Sequence, residues 1–137
     1  MSAVKEIVLY YTPEKTGKTR LLKGVLVRMG IRIKNIGPEQ VTQKVGYLTG
    51  LKDYEEALLE EGTKPPVIPE EMLVLHGFTN RRLDEFLSQL RRAKVSTIAL
   101  KAVVTDTNAG WSFYELYQEI RAEHEKMTEG REQNPQE

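Results

Sequence analysis

The sequence contains no cysteine. That absence removes a disulfide framework, a thiol nucleophile and a thiolate metal site together, and it suits a reducing compartment. Histidine is nearly missing as well. His76 and His124 lie far apart in the chain, and neither has a second histidine near it, so no metal site is expected. No serine sits in a nucleophile elbow, and the adjacent pairs Glu55-Glu56 and Glu70-Glu71 fall on solvated segments rather than converging for acid–base work. No apolar run is long enough to span a membrane. The first residues lack the apolar core and cleavage site of a secretory signal, so a cytoplasmic protein is expected. Neither sign of charge dominates, with 20 Lys+Arg against 20 Asp+Glu. Nucleic acid is not an expected partner, because basic residues are not interleaved with aromatics and acidic blocks would repel phosphates.

What is present is a repeat. A shift of about 64 positions lays Ile7-Val8-Leu9-Tyr10 near Met72-Leu73-Val74-Leu75, Leu22 and Leu26 on Phe86 and Leu90, and Gly46-Tyr47 on Gly110-Trp111. Charge alternates in step. Residues 1–34 hold eight Lys/Arg against two Asp/Glu, 35–75 three against eight, 76–104 six against two, and 105–137 three against eight. The first helix of each copy is therefore basic and the second acidic, a pattern that predicts orientation-specific, salt-sensitive self-association.

The 137 residues suffice for one core and not for two ordinary domains. The expected fold is α/β: two tandem βαβα repeats forming a four-stranded sheet flanked by helices. Repeat one spans 4–61, a linker 62–70 carries Pro65-Pro66, repeat two spans 71–126, and 127–137 is expected to lack structure. A ferredoxin-like α+β sheet is the alternative, since two βαβ units can also pair about a pseudo-two-fold with antiparallel strands. In detail, 4–11 reads as a buried strand, and Leu21, Leu22, Val25, Leu26 and Met29 as one face of a helix stopped at Gly30. Residues 31–34 read as a half-exposed strand near a sheet edge, and Leu51, Tyr54, Leu58 and Leu59 as an acidic amphipathic helix. In the second copy 72–75 and 97–104 read as strands, with Thr79 or Asn80 capping a helix over Leu83, Phe86, Leu87 and Leu90. Ser112 and Glu115 stand at capping-box spacing before the last helix, with Trp111 and Leu116 placed as a hydrophobic staple.

The run from Glu71 to about His124 carries Gly77-Phe78-Thr79, Leu100-Lys101-Ala102-Val103-Val104-Thr105, and Thr107-Asn108 ahead of Trp111. It resembles a small bacterial domain family of unknown function. The resemblance implies a cytoplasmic α/β protein and brings no catalytic residues with it.

Thr16-Gly17-Lys18-Thr19 follows a strand and opens a helix, the place where phosphate loops sit. A full P-loop needs a glycine where this chain has Thr12, which argues against a nucleoside triphosphatase. The same residues resemble the flavin-phosphate loop of flavodoxins. A flavodoxin-like protein holding FMN or a phosphate ligand is therefore the alternative function, though only four strands and no flavin-stacking aromatics are found. Cations at both helix starts, Lys18 and Arg20 in the first and Arg81 and Arg82 in the second, oppose the helix dipole unless an anion is bound, with Arg20 expected to lie too far into the helix to touch the anion itself. The favoured reading is a non-catalytic binding or regulatory module for a small anionic or phosphorylated ligand, held by Thr16, Gly17, Lys18 and Thr19. A weaker twin is expected at Thr79, Asn80, Arg81 and Arg82. Tyr47 and Trp111, with Thr105 and Asn108, are candidate aromatic and polar walls.

Overall fold

Every residue of Ile7–Tyr11 is buried, and such a strand must have cover on both faces. In the computed structural model, which describes residues 6–14 and 16–133, this strand, β1, lies inside a four-stranded sheet of order β2-β1-β3-β4. The other strands are β2 (Arg32–Asn35), β3 (Met72–His76) and β4 (Lys101–Val103). The helices are α1 (Gly17–Met29), α2 (Val45–Leu48), α3 (Asn80–Arg92) and α4 (Phe113–Gln133), with 3₁₀ turns at Pro38–Gln40 and Asn108–Gly110.

The period-two alternation of side chains splits the core. Val8, Tyr10, Leu73 and Leu75 meet Leu22, Val25 and Leu26 of α1 and Phe86 and Leu90 of α3. Ile7, Leu9, Tyr11, Met72 and Val74 meet Val45 and Leu48 of α2 and Phe113, Leu116 and Tyr117 of α4. Helices thus cover both faces, which excludes the ferredoxin-like alternative, where helices sit on one side. The sheet is mixed. β1–β2 and β3–β4 are parallel, whereas β1–β3 is antiparallel, with Ile7 opposite His76 and Tyr11 opposite Met72.

Helices α1 and α3 start and stop by the same chemistry. Thr16 caps α1 by accepting from the Lys18 N–H, and Thr79 caps α3 by accepting from the Arg82 N–H. After α1 the chain turns through Gly30 at φ 72°, and after α3 through Lys94 at φ 61°. A left-handed residue lets the trailing N–H groups satisfy the last carbonyls: Ile31 N–H donates to Leu26 O at 2.9 Å and Val95 N–H to Leu90 O at 3.0 Å. At α4 the capping box forms in full, Ser112 N–H donating to Glu115 Oε1 and Glu115 N–H to Ser112 Oγ.

The structure corrects several expectations. Residues 51–59 form no helix but a strap without regular secondary structure that opens with a turn at 52–53, the middle of a long connection from α2 to β3. Gln43 pins it by a double hydrogen bond, its side-chain amide donating to Ala57 O at 2.9 Å and accepting from Ala57 N–H at 2.7 Å. β4 keeps only three residues of the expected 97–104. The first strand begins at Ile7, residues 4 and 5 lying outside those described. α4 continues to Gln133, through most of the stretch expected to lack structure, while 134–137 lie outside the described residues. Finally, Gly46-Tyr47 does not match Gly110-Trp111. The first pair lies inside α2 and the second precedes α4, and the segments meet at a Lys44–Ser112 bridge instead.

Candidate functional site

β1 and β2 run parallel, and α1 starts just beyond the end of β1, so the carboxyl ends of two strands and one helix N-terminus meet at a single edge. An open cleft of about 770 Å³ lies there, lined by Tyr10, Thr12, Thr16, Thr19, Arg20, Lys23, Asn35, Ile36, Gly37 and Pro38. Such crevices outside the carboxyl ends of parallel strands are where open α/β sheets hold ligands. Arg20 and Lys23 are exposed, and their side chains form no ion pair or hydrogen bond with any described residue. Thr19 Oγ1 is enclosed without a hydrogen bond among the described residues. The Tyr10 phenol is pushed up to about 12, first by burial and then by Glu71 as hydrogen-bond acceptor and negative charge. It stays a neutral donor at physiological pH, and its hydrogen goes to Glu71 Oε2 at 2.7 Å.

The structure separates the predicted loop residues. Thr16 and Thr19 line the cleft. Gly17 is exposed, with open space where a Cβ would stand. Lys18 points the other way, its ammonium donating to Glu71 Oε1 at 2.5 Å and to Thr97 O at 3.1 Å. There it lines a smaller depression that also contains Glu14, Glu70 and Glu71, a surrounding hostile to an anion.

At the twin position Thr79 is used as a cap, and Asn80 and Arg81 are exposed. Arg82 is fully engaged. Its guanidinium donates to both Glu6 oxygens at 2.7 Å, to Met29 O at 2.8 Å and to Glu85 at 3.2 Å. These bonds raise its pKa, the Glu6 hydrogen bonds most, so it stays cationic. Lys18–Glu71 and Arg82–Glu6 are reciprocal. In each, a cation from the first turn of one half's helix grips the glutamate just before the other half's strand. This pair of clamps, missed from the sequence, closes the antiparallel junction on both sides.

The remaining candidates do not converge on the cleft. Thr105 and Asn108 close a turn on each other, Thr105 N–H donating to Asn108 Oδ1 at 2.8 Å and Asn108 N–H to Thr105 Oγ1 at 3.0 Å, while Asn108 Nδ2 donates to Val103 O. Tyr47 and Trp111 pack partly buried against the α2/α4 side of the core, on the opposite face of the sheet from α1. Lys23 and Asn35 were not chosen from the sequence, and Arg20, expected to lie too far into the helix, lines the cleft. A signal for two of them was present, since Thr16, Thr19, Arg20 and Lys23 follow the i, i+3, i+4, i+7 spacing of one helix face.

Among the described residues, no group of three or more His, Cys, Asp or Glu side chains is placed to hold a metal, and no helix is long and apolar enough to cross a membrane. Residues 71–127 match the family described as Domain of unknown function (DUF3783). The match covers β3, α3, β4 and most of α4, and it begins at the glutamate that receives Lys18. No curated protein and no solved structure matches the chain.

Proposed function

We propose that the chain is a duplicated βαβα unit in which the first half has become the ligand-binding half, a non-catalytic binding module for a small organic anion, most simply a phosphorylated one. Recurring backbone hydrogen bonds support the duplication. Ile36 N–H donates to Tyr10 O and Val104 N–H to Leu75 O, Gln43 N–H to Gln40 O and Trp111 N–H to Asn108 O, and Val45 N–H to Trp111 O while Phe113 N–H donates to Gln43 O. Each later partner lies 68 positions beyond its match, apart from the strand residues Tyr10 and Leu75, which are 65 apart.

The single observation that carries the ligand reading is the pair of unengaged cations in the cleft. Arg20 and Lys23 have as counterparts, 64 positions on, Asp84 and Leu87. The fold therefore does not require cations at these positions, and only the first half has them. The dipole of α1, with the Thr16 and Thr19 hydroxyls, adds to the attraction for an anion. Ile36, Pro38 and the Tyr10 ring supply an apolar wall for an organic remainder.

The antiparallel β1–β3 pair departs from the parallel doubly wound sheet of the flavodoxin-like alternative, and no observation favours FMN.

The test is thermal unfolding with inorganic phosphate and with a nucleoside monophosphate, on wild type and on Arg20→Ala/Lys23→Ala. A ligand at about 100 times its Kd stabilises the native state by about 2.7 kcal/mol, which for a chain of this size is a rise in Tm of several degrees. Wild type should respond and the double variant should not. No response to either probe, or an equal response from both proteins, refutes the proposal.

A further inference from the structure

The outward face of α1 carries more apolar surface than a solvated helix needs. Leu21 is 46% exposed and Val27 67% exposed, and Arg20, Lys23 and Arg28 flank them. Gly24 leaves the middle of this stripe flat, and the Arg28 guanidinium lies near it, 3.6 Å from where a Cβ would stand. The counterpart helix shows what the fold alone demands. At the positions matching Leu21, Gly24 and Val27, α3 has Glu85, Ser88 and Arg91. The apolar stripe is thus peculiar to the first half.

Two copies of α1 cannot cover it face to face, because Arg20, Lys23 and Arg28 of each would meet their like. The cover must be acidic as well as apolar. The strap fits that description. Leu58 is 85% exposed and Leu59 43% exposed, and around them Glu55, Glu56, Glu60 and Glu61 are all exposed and in no ion pair with a described residue. Gln43 holds the strap on the α2/α4 side of the sheet while α1 packs on the other, so the two surfaces do not meet within one chain. We infer that the outer face of α1 docks the acidic strap, residues 55–61, of a second copy of this chain, Leu58 and Leu59 covering Leu21 and Val27 while the glutamates meet Arg28.

The interaction rests on exposed charge, which salt screens over about 8–10 Å near physiological ionic strength. Sedimentation of the full chain should show self-association at low salt that falls to monomer at high salt. Arg28→Glu alone and Glu56→Lys/Glu60→Lys alone should each weaken association about tenfold or more, and an equimolar mixture of the two should recover it, since the reversed charges again match. Arg28, Glu56 and Glu60 do not line the ligand cleft, so phosphate-induced stabilisation should persist in every variant, which separates failure here from failure of the ligand reading. A strict monomer at low salt overturns the inference. So does association that ignores the strap substitutions, or a mixture that fails to recover. Circular dichroism identical to wild type confirms that each variant is folded before it is scored.

Discussion

Gly46→Ala sets a clash against a propensity, and the structure predicts which wins. A Cβ at Gly46 would lie 2.3 Å from Tyr54 Cδ2, 2.7 Å from Cε2 and 2.8 Å from Cγ. Carbon atoms rest at about 3.5–4.0 Å, so the ring must move. It cannot slide far, because the strap is held three residues later by the Gln43–Ala57 double hydrogen bond, and the ring also borders Gly110, 3.9 Å from a Cβ placed there. Expelling it exposes the apolar part of a half-buried tyrosine, a loss of roughly 1–3 kcal/mol. The opposing gain from alanine over glycine in a helix is at most about 1 kcal/mol, and less in a helix of one turn. The net expectation is destabilisation of about 1–2 kcal/mol, a fall in Tm of roughly 3–10 °C.

The test is a double-mutant cycle followed by thermal unfolding. In a Tyr54→Ala background the obstacle is gone, so Gly46→Ala should become neutral or stabilising, and the effect changes sign. Limited proteolysis offers a second readout, with cleavage in 52–60 rising in the Gly46→Ala protein as the strap loosens. If Gly46→Ala is neutral in wild type, or equally harmful with and without Tyr54, the ring does not pack where this reasoning puts it.

Lys94 holds a left-handed conformation that its counterpart Gly30 adopts without strain. Lys94→Gly should therefore stabilise by up to about 1 kcal/mol and Gly30→Ala should destabilise by about 1–2 kcal/mol in chemical denaturation, and equal effects of one sign would refute the shared-turn account. Tyr10 supplies a pH dependence. The unfolded chain releases that phenolic proton near 10, while the folded chain holds it to about 12. Its stabilisation is therefore full below pH 10 and lost as pH rises through 12, on the order of 1–3 kcal/mol. Tyr10→Phe should flatten that part of the stability–pH curve, and an unchanged curve would count against the burial argument.

Local rules made much of the fold legible. The α1 stripe (apart from the exposed Leu21), the α3 stripe, the Thr79 cap and the Ser112–Glu115 box were readable because each depends on residues a few positions apart. The strap was not. Leu51, Tyr54 and Leu58 have helical spacing, yet Leu58 is almost fully exposed, and only Tyr54 and Ala57 find seats, against Gly46 and Gln43. A helix of about nine residues with no face to bury is marginal in water, and an irregular path that gives the Ala57 backbone a partner wins. Strand order was hidden for another reason: the antiparallel junction is set by how two similar units meet, and no local pattern encodes that.

The candidate site shows the same division between near and far. In sequence Lys18 stands between Thr16 and Thr19 and looks like the natural charge for an anion. On a helix each residue turns the side chain by roughly 100°, so Lys18 sits about 200° from Thr16 and faces away from the cleft, whereas Arg20 and Lys23 share the threonines' side. That part could have been read from spacing. What could not be read is Glu71, far along the chain, which the junction brings to the Lys18 ammonium. Its partner clamp, Glu6 on Arg82, engages the corresponding cation of the second half in the same way. Two of the cations that sequence proximity assigns to anion binding therefore hold the halves together. The junction leaves Arg81 exposed at the start of α3, and the cations that line the cleft, Arg20 and Lys23, are two others it does not use.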